Sequence, residues 1–395
     1  MKAVTATKAV IAGIGATGFS KDSGRSETRL AADAALDALA DAGISPEEVD
    51  GMATFTMDPT SEIALAREIG AGALRFFTRV PYGGGAACGA VAQAAMAAAS
   101  GTADVVLVYR AFNERSGRRY GRAVPQDGAP TGAPASQALE LGWHVPAGLA
   151  TPAAWAALPA RRYMHEYGAT GEDFGRVAVQ MRANAATNPR AWFHRRPITL
   201  EEHQASRWVA EPLRLLDCCQ ESDGGVALVV VGARRARSLP RPPAVIEAAA
   251  QGSGAGQLTM VDFYRDDIAA LPEMAAVAER LWADSGLGPG DMDAAILYDH
   301  FTPYVLMQLE ALGYCKRGQA PALVADGRIG PGGDLPVNPH GGQLGEAYIH
   351  GMNGIAEAVR QLRGTAANQV PGAGHVLVTA GTGVPTSGLV LGAYS

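Results

Sequence analysis

Apolar and polar positions along this chain follow two rhythms. "AVIAGIG", Ala9–Gly15, is a short unbroken apolar run of strand length, and a loop separates it from an Ala/Leu-rich stretch from Leu30 to Ala42. There Leu30, Ala34, Leu36, Leu39 and Ala40 recur at helical spacing, which predicts a helix with that stripe facing the core. Gly43 supplies a C-terminal stop, and "ISPEEVDGMATFT" leads into a further strand. The pattern then returns. "PAVIEAAAQG" begins at Pro243, and "EMAAVAERLWADSGLGPGDMDAAILYDHF" runs from Glu273 to Phe301. Gly43, Pro46, Val49 and Asp50 align without gaps on Gly286, Pro289, Met292 and Asp293, at a constant offset of 243 residues. Four matches in register, each after an amphipathic helix and before an apolar strand, predict an internal repeat. Each half next supplies a Gly-rich turn, a helix and an apolar strand. These are "YGGGAACGAVAQAAMAAASG" with "ADVVLVYRA", and "HGGQLGEAYIHGMNGIAEAVRQLRG" with "GHVLVTAGTG". Such alternation predicts an α/β fold with covered sheets. The halves are placed at residues 1–240 and 241–395. An insertion at about 110–219, rich in Pro, Trp and Arg, carries two helical patterns and is expected to form a lid or loop domain.

Composition narrows the function. At 395 residues the chain exceeds a typical single domain, and 48% hydrophobic with 18% charged residues is ample for a core. A net charge of −6 argues against a dedicated nucleic-acid binder, which needs a basic face. Four cysteines, Cys88, Cys218, Cys219 and Cys315, are too few and scattered for a disulfide framework. No segment reaches the roughly 20 apolar residues of a spanning helix, and the N-terminus lacks a long hydrophobic region with a cleavage site. A soluble cytoplasmic protein is expected. Gly13, Gly15 and Gly18 fit G-x-G-x-x-G, but "FSKDSGRSE" follows where a helix should open at the third glycine, so dinucleotide binding is not expected.

Three longer stretches carry a family likeness: "GATGEDFGRVAVQMRANAATNPRAWF", "EPLRLLDCCQESDGGVALVVV" and "VNPHGGQLGEAYIHGMNGIAEAVRQLRG". They resemble the lipid-transfer-protein, or sterol-carrier-protein-type, branch of the thiolase superfamily, over nearly the whole chain. The resemblance implies the thiolase fold: duplicated βαβαβαββ halves giving a layered α-β-α-β-α core with an inserted loop domain. It also implies three catalytic elements, and each is altered here. The nucleophilic cysteine at the start of a helix falls near Gly84, within Gly83–Gly85, with Cys88 four residues later. In "LYDHF", Tyr298 replaces the expected histidine, Asp299 is kept, and His300 takes the place of a cysteine. Ten positions after Asn338 the second histidine is replaced by Tyr348. The C-terminal cysteine turn has become "TAGTG", Thr379–Gly383.

Without a sulfur to hold an acyl group, thiolysis lacks its covalent step. Retro-aldol cleavage of a β-hydroxyacyl-CoA needs only a base at the β-hydroxyl, an acid at the enolate carbon and donors for the enolate oxygen. Tyr298 and Tyr348 are the expected acid and base, with Tyr348 at the hydroxyl or the two roles exchanged. Backbone around Gly84 and Gly381 is expected to bind the oxyanion, and His300 and His340 to orient the tyrosines or the thioester oxygen. The pattern resembles actinobacterial aldolases of steroid side-chain degradation. That implies a 17-hydroxy steroid CoA thioester as substrate, release of propionyl-CoA, a homodimer and a small OB-fold partner protein in an αββα assembly. No cofactor or metal is expected, CoA being part of the substrate, and neither a nucleic-acid nor a membrane partner. Two other readings are a non-catalytic lipid or acyl-CoA carrier and an acyltransferase using Cys88. Arg110, Arg115, Arg118, Arg119 and Arg122 would either grip CoA phosphates or face solvent or a partner. His350 is expected to point away from Tyr348 on a helix, for packing or capping.

Overall fold

Strand β1 (Ala9–Ala16) and helix α1 (Glu27–Ala42) of the computed structural model approach so closely that glycine alone fits between them. A Cβ on Gly13 would overlap the carbonyl oxygen of Ala38, and one on Gly15 that of Ala34. These glycines are spacers for helix-on-sheet packing, not a nucleotide loop, and α1 opens only at Glu27, capped by the Ser26 hydroxyl. The same closeness turns the helix relative to expectation. Leu30, Ala31, Ala34, Ala35, Ala38 and Leu39 are buried, whereas Leu36, 40% exposed, and Ala40 face solvent. Small side chains, not the most hydrophobic ones, define the buried face because the strand backbone lies against it.

The structure describes residues 9–81, 83–117, 119, 142–258 and 262–394. The first half continues through β2 (Gly51–Phe55), α2 (Glu62–Ile69), β3 (Phe76–Val80), α3 (Ala87–Ser100) and β4 (Val105–Asn113). The insertion carries α4 (Pro152–Tyr167), α5 (Gly171–Thr187) and a two-stranded ribbon of β5 (Trp208–Ala210) and β6 (Leu213–Arg214) before β7 (Asp223–Gly232) closes the half. The second half runs β8 (Ala244–Gly252), α6 (Pro272–Ser285), β9 (Ala294–Ile296), α7 (Thr302–Ala311), α8 (Met352–Arg363), β10 (His375–Ala380) and β11 (Thr386–Ala393).

All strands but the ribbon join one mixed sheet in the order β3-β2-β4-β7-β1-β8-β11-β10-β9. Outward from the centre, β1-β7-β4-β2-β3 is mirrored by β8-β11-β10-β9. The place matching β3 holds only a one-residue parallel bridge between Ala295 and Val337. Val337 follows Pro336, and Asn338 turns away at φ 46° before Pro339, so no longer ladder forms there. The second half is therefore shorter by one full strand than the βαβαβαββ pattern.

The halves meet where β1 pairs antiparallel with β8, Val10 with Val245 and Ile11 with Ala244. Helix α3 packs on strands of both halves and touches α8, while α1 covers β1, β7 and β4, and α6 covers β8 and β11. Three buried clusters fill the gaps between these layers, the central one joining Cys88 and Val91 of α3 to Ile355 and Val359 of α8. This is the α-β-α-β-α layering.

The repeat extends to side-chain detail. Gly43 and Gly286 both end their helices in the left-handed region, at φ 66° and 71°. Asp50 accepts hydrogen bonds from the N–H groups of Asp104 and Val105 at 2.9 Å, pinning the start of β4. Asp293 does the same for Gly374 and His375 at 2.8 and 2.9 Å, before β10. Helix α5 does not merely cover the site. Asn184 Nδ2 donates to the carbonyls of Val337 and Asn338 at 3.2 and 3.1 Å, and Asn188 Nδ2 to that of His340 at 3.0 Å. A Cβ on Gly341 would meet that of Ala185 at 2.6 Å, so the helix braces the loop from Val337 to Asn353. Within the lid or loop domain expected at about 110–219, residues 118 and 120–141 lie outside the described residues. Among the described residues no helix is long and apolar enough to cross a membrane.

Candidate active site

Tyr298 leaves the C-terminal end of β9 under tight backbone control. The Asn338 side chain imitates a neighbouring strand, accepting from Leu297 N–H at 2.8 Å and donating to its carbonyl at 3.0 Å. Thr379 Oγ1 accepts from the N–H of Tyr298 at 3.0 Å, and Gln308 Nε2 donates to its carbonyl at 2.9 Å. The ring is buried and reaches across to the other half, where its hydroxyl lies on Gly84. A Cβ at position 84 would overlap that hydroxyl. The phenol thus stands where a side chain from the turn Gly84–Ala86 would project, and glycine there is a steric requirement. Gly381, at φ 81°, packs on the same turn: its Cβ would come within 2.6 Å of Gly85 Cα.

Tyr348 lies on an irregular loop between the single turn Gly342–Gly345 and α8, and its N–H donates to Ser222 Oγ at 3.1 Å. The hydroxyls of Tyr298 and Tyr348 are 3.0 Å apart, with the rings nearly edge to face. Burial pushes both phenols well above their ordinary pKa, and the nearness of Tyr298 adds to the rise at Tyr348. Two neutral phenols joined by one hydrogen bond form the centre of the site.

His350 is not turned away on a helix. It sits before α8 at φ 49°, with its ring edge-on to Tyr348 at 5.0 Å and stacked on Phe112 at 5.0 Å. Arg110 Nε donates to His350 Nδ1 at 3.1 Å, which places the proton of the neutral ring on Nε2. Burial and the Arg110 charge hold this imidazole well below its usual pKa. Arg110 therefore does not grip phosphate: its side chain is fully buried and pairs with Asp58 at 3.1 Å. Arg119 is paired with Glu221 at 2.6 Å, and Arg115 anchors through its backbone N–H to Asp223 at 2.8 Å. Arg118 and Arg122 lie outside the described residues.

His300 stacks face to face on Tyr304 at 4.9 Å and tilts against Tyr298 at the same distance. Its Nε2 is 3.2 Å from Thr382 Oγ1, and burial holds its pKa down to about 3, so it is neutral. His340 is buried one layer back, with Nε2 3.8 Å from Glu346 Oε2 and its carbonyl bound by Asn188. Its contacts are with the network that holds the loop, not with the tyrosine hydroxyls. Asp299 accepts from the N–H groups of Gln343 and Leu344 at 2.7 and 3.4 Å, and burial raises its carboxyl to about 6. Cys88 is fully buried in the central core, and burial pushes its thiol up, so it has neither the exposure nor the thiolate character of a nucleophile.

The structure also brings in groups that no sequence pattern marked. Glu114, just past β4, and Cys219, at the end of the insertion, both interact electrostatically with the two phenols. Ser222 holds the Tyr348 backbone, and Cys219 N–H donates to the His300 carbonyl at 2.8 Å. They come from segments distant in sequence, and only the closing of β4 against β7 gathers them.

A family model described as "Thiolase C-terminal domain-like" matches residues 254–392. The chain is 65% identical over 385 residues to a steroid side-chain-cleaving aldolase of Thermomonospora curvata, covering 98% of each protein. It is 62% identical over 388 residues to a 17-hydroxy-3-oxo-4-pregnene-20-carboxyl-CoA lyase of Mycobacterium tuberculosis, covering 98% of this chain and 99% of that one. A solved Ltp2-ChsH2(DUF35) aldolase superposes with a TM-score of 0.93 at 63% identity, 99% of each chain covered. With these relatives matched along its whole length, the chain belongs to the thiolase superfamily, in the sterol-carrier-protein-type branch that holds the steroid side-chain-cleaving aldolases.

Proposed function

We infer that this chain is a carbon–carbon lyase that cleaves a steroid-derived β-hydroxyacyl-CoA by a retro-aldol reaction. The observation that carries the chemistry is the pair of neutral phenols 3.0 Å apart, set against a glycine turn where a nucleophile would otherwise stand. In this reading the substrate hydroxyl gives its proton to Tyr348 as the Cα–Cβ bond breaks. A carbonyl forms at Cβ, and the bonding electrons move into the thioester enolate. Tyr348 passes its own proton to Tyr298, which protonates Cα. Both phenols end as they began. Because burial raises both, a relay that never leaves a phenolate fits this site better than a resting phenolate base. Backbone at Gly84 and Gly381 is our choice for the enolate oxygen, since Gly84 opens the turn into α3, where helix N–H groups are free of intrahelical partners. His300 would orient these groups as a neutral imidazole, and His340 would act only through the loop that carries Tyr348.

By likeness to the M. tuberculosis lyase, we propose a 17-hydroxy steroid carrying a CoA-activated side chain as substrate, with propionyl-CoA and a 17-ketosteroid as products. The solved Ltp2-ChsH2(DUF35) aldolase supports a complex with a small OB-fold protein. A homodimer is supported by β3, an edge strand of the sheet with Phe77 60% exposed, and by Met96 of α3, 64% exposed. We place the junction of the halves at 240 and 241, between β7 and β8. All four cysteines are unpaired, which fits a cytoplasmic location. The test is mass analysis of products from a panel of β-hydroxyacyl-CoAs, with and without the OB-fold partner. Cleavage to propionyl-CoA and a ketosteroid is expected. Tight binding with no product under any condition would make the chain a carrier instead.

A further inference from the structure

Glu114 is a buried acid beside the tyrosines that the reaction above leaves unused; it is 3% exposed. Its position follows from strand geometry. Arg110 and Phe112 lie on one face of β4, and both touch His350. Residues alternate across a strand, so Glu114 is the next on that face, brought toward the loop that carries Tyr348. The turn that holds it is fixed by Asp223, which accepts from Arg115 N–H at 2.8 Å and Ser116 N–H at 3.1 Å. Ser222 links the two groups: its backbone N–H faces the Glu114 carboxyl, and its hydroxyl accepts from Tyr348 N–H.

The Glu114 Oε2 atom is buried with no hydrogen-bond partner among the described residues. A buried oxygen left so costs roughly 1–3 kcal/mol, a cost that a bound partner would offset. The charged and titratable groups around it are Lys21, Arg110, Glu221, Cys219, the two phenols and Arg119, which is itself paired with Glu221. Arg110 is tied to Asp58, and Lys21 donates to Gln220 and to the Glu221 carbonyl, so neither cation is committed to Glu114. An anion here would repel the negative charge that builds on the enolate; a neutral acid would supply a donor.

We propose that Glu114 acts as a neutral carboxylic acid whose unpartnered oxygen donates a hydrogen bond to the substrate oxygen that becomes negative during cleavage. This rests on the retro-aldol reading. Burial lifts the Glu114 pKa well above the usual carboxylate range, in keeping with that state. The group is neutral below its raised pKa, so its contribution is present at lower pH and is lost as pH rises through that value.

The experiment measures kcat and KM across pH for the full chain with its OB-fold partner, using a steroid β-hydroxyacyl-CoA, for wild type, Glu114→Gln and Glu114→Ala. Removing the donor with Ala is expected to lower kcat by roughly 10²-fold, as for an oxyanion donor, with little change in KM. Gln, a neutral donor of the same shape that cannot ionise, is expected to recover about tenfold of that loss and to lack the high-pH decline of wild type. Gln no better than Ala, Ala equal to wild type, or a high-pH limb unchanged in Gln would each overturn the proposal. Wild-type cleavage abolished by Tyr298→Phe but indifferent to both Glu114 variants would sink this inference alone. No cleavage by wild type would sink the reading beneath it.

Discussion

The two halves of this protein use the same aspartate for the same task and then part company at the site. Asp50 and Asp293 each clamp the first N–H groups of a core strand, 243 residues apart and with nearly equal distances. The catalytic surfaces show no such symmetry. The first half offers a turn stripped of side chains at Gly83–Gly85, while the second half sends Tyr298 into the space left at Gly84, its hydroxyl bonded to that of Tyr348. The scaffold tolerates duplication because strand starts and helix ends have the same backbone needs in each copy. The site requires the copies to differ, because a phenol reaching Gly84 excludes any side chain there.

The largest effect should come from the side that carries the phenols. Tyr298→Phe and Tyr348→Phe are each expected to lower kcat by roughly 10²- to 10⁴-fold with the fold intact. The proposed relay through both hydroxyls predicts a double variant little worse than either single one, which steady-state kinetics will test. Near-full activity in both single variants would remove the tyrosines from the mechanism.

Next comes the bare side. Gly84→Ala puts a methyl group where the Tyr298 hydroxyl lies, so the ring must move. A displacement of about 1 Å is expected to cost roughly 10²-fold in kcat, with substrate affinity much less affected. A fully active Gly84→Ala enzyme would show that the phenol does not work from this position.

The symmetric pair tests the scaffold itself. Asp50→Ala and Asp293→Ala each leave two strand N–H groups without their acceptor, and urea unfolding should report a loss of about 1–3 kcal/mol for each. Their surviving folded fractions should cleave substrate at near the wild-type rate. A tenfold difference in kcat between the two would mean that the repeat does not carry equal loads.

The mildest expectation concerns pH. Burial raises the Asp299 carboxyl from 3.8 to about 6, which disfavours its ionised form in the folded protein. Its contribution to stability is complete below pH 3.8 and declines as pH rises to about 6, because the unfolded chain ionises first. Unfolding free energy should therefore fall between about pH 4 and about pH 6, and by less in Asp299→Asn. An identical slope in the variant would assign the dependence to other groups.

Much of the scaffold was legible along the chain. The β1 run, the Gly43 stop and the constant offset to Gly286, Pro289 and Asp293 depend on local backbone preference, which a short stretch of residues reveals. The family resemblance placed Tyr298 and Tyr348 together. It did not explain Gly84, which reads as a lost nucleophile until the structure shows the phenol resting on it. Leu36 misled because the buried face of α1 is selected by closeness to β1, not by hydrophobicity. Arg110 read as a surface cation, yet the strand carries it to a fully buried pair with Asp58 and onto His350.

By itself the sequence determined the repeat and the α/β class, since these are matters of residue type and spacing; the replacement of sulfur and imidazole by glycine and phenol came from the family resemblance. Only the tertiary structure decided that the two phenols share a hydrogen bond, that His350 and Glu114 join them, and that Cys88 belongs to the core. Those outcomes depend on which segments, tens to hundreds of residues apart, the layered packing presses together, and on how far burial shifts the proton affinity of the groups it encloses.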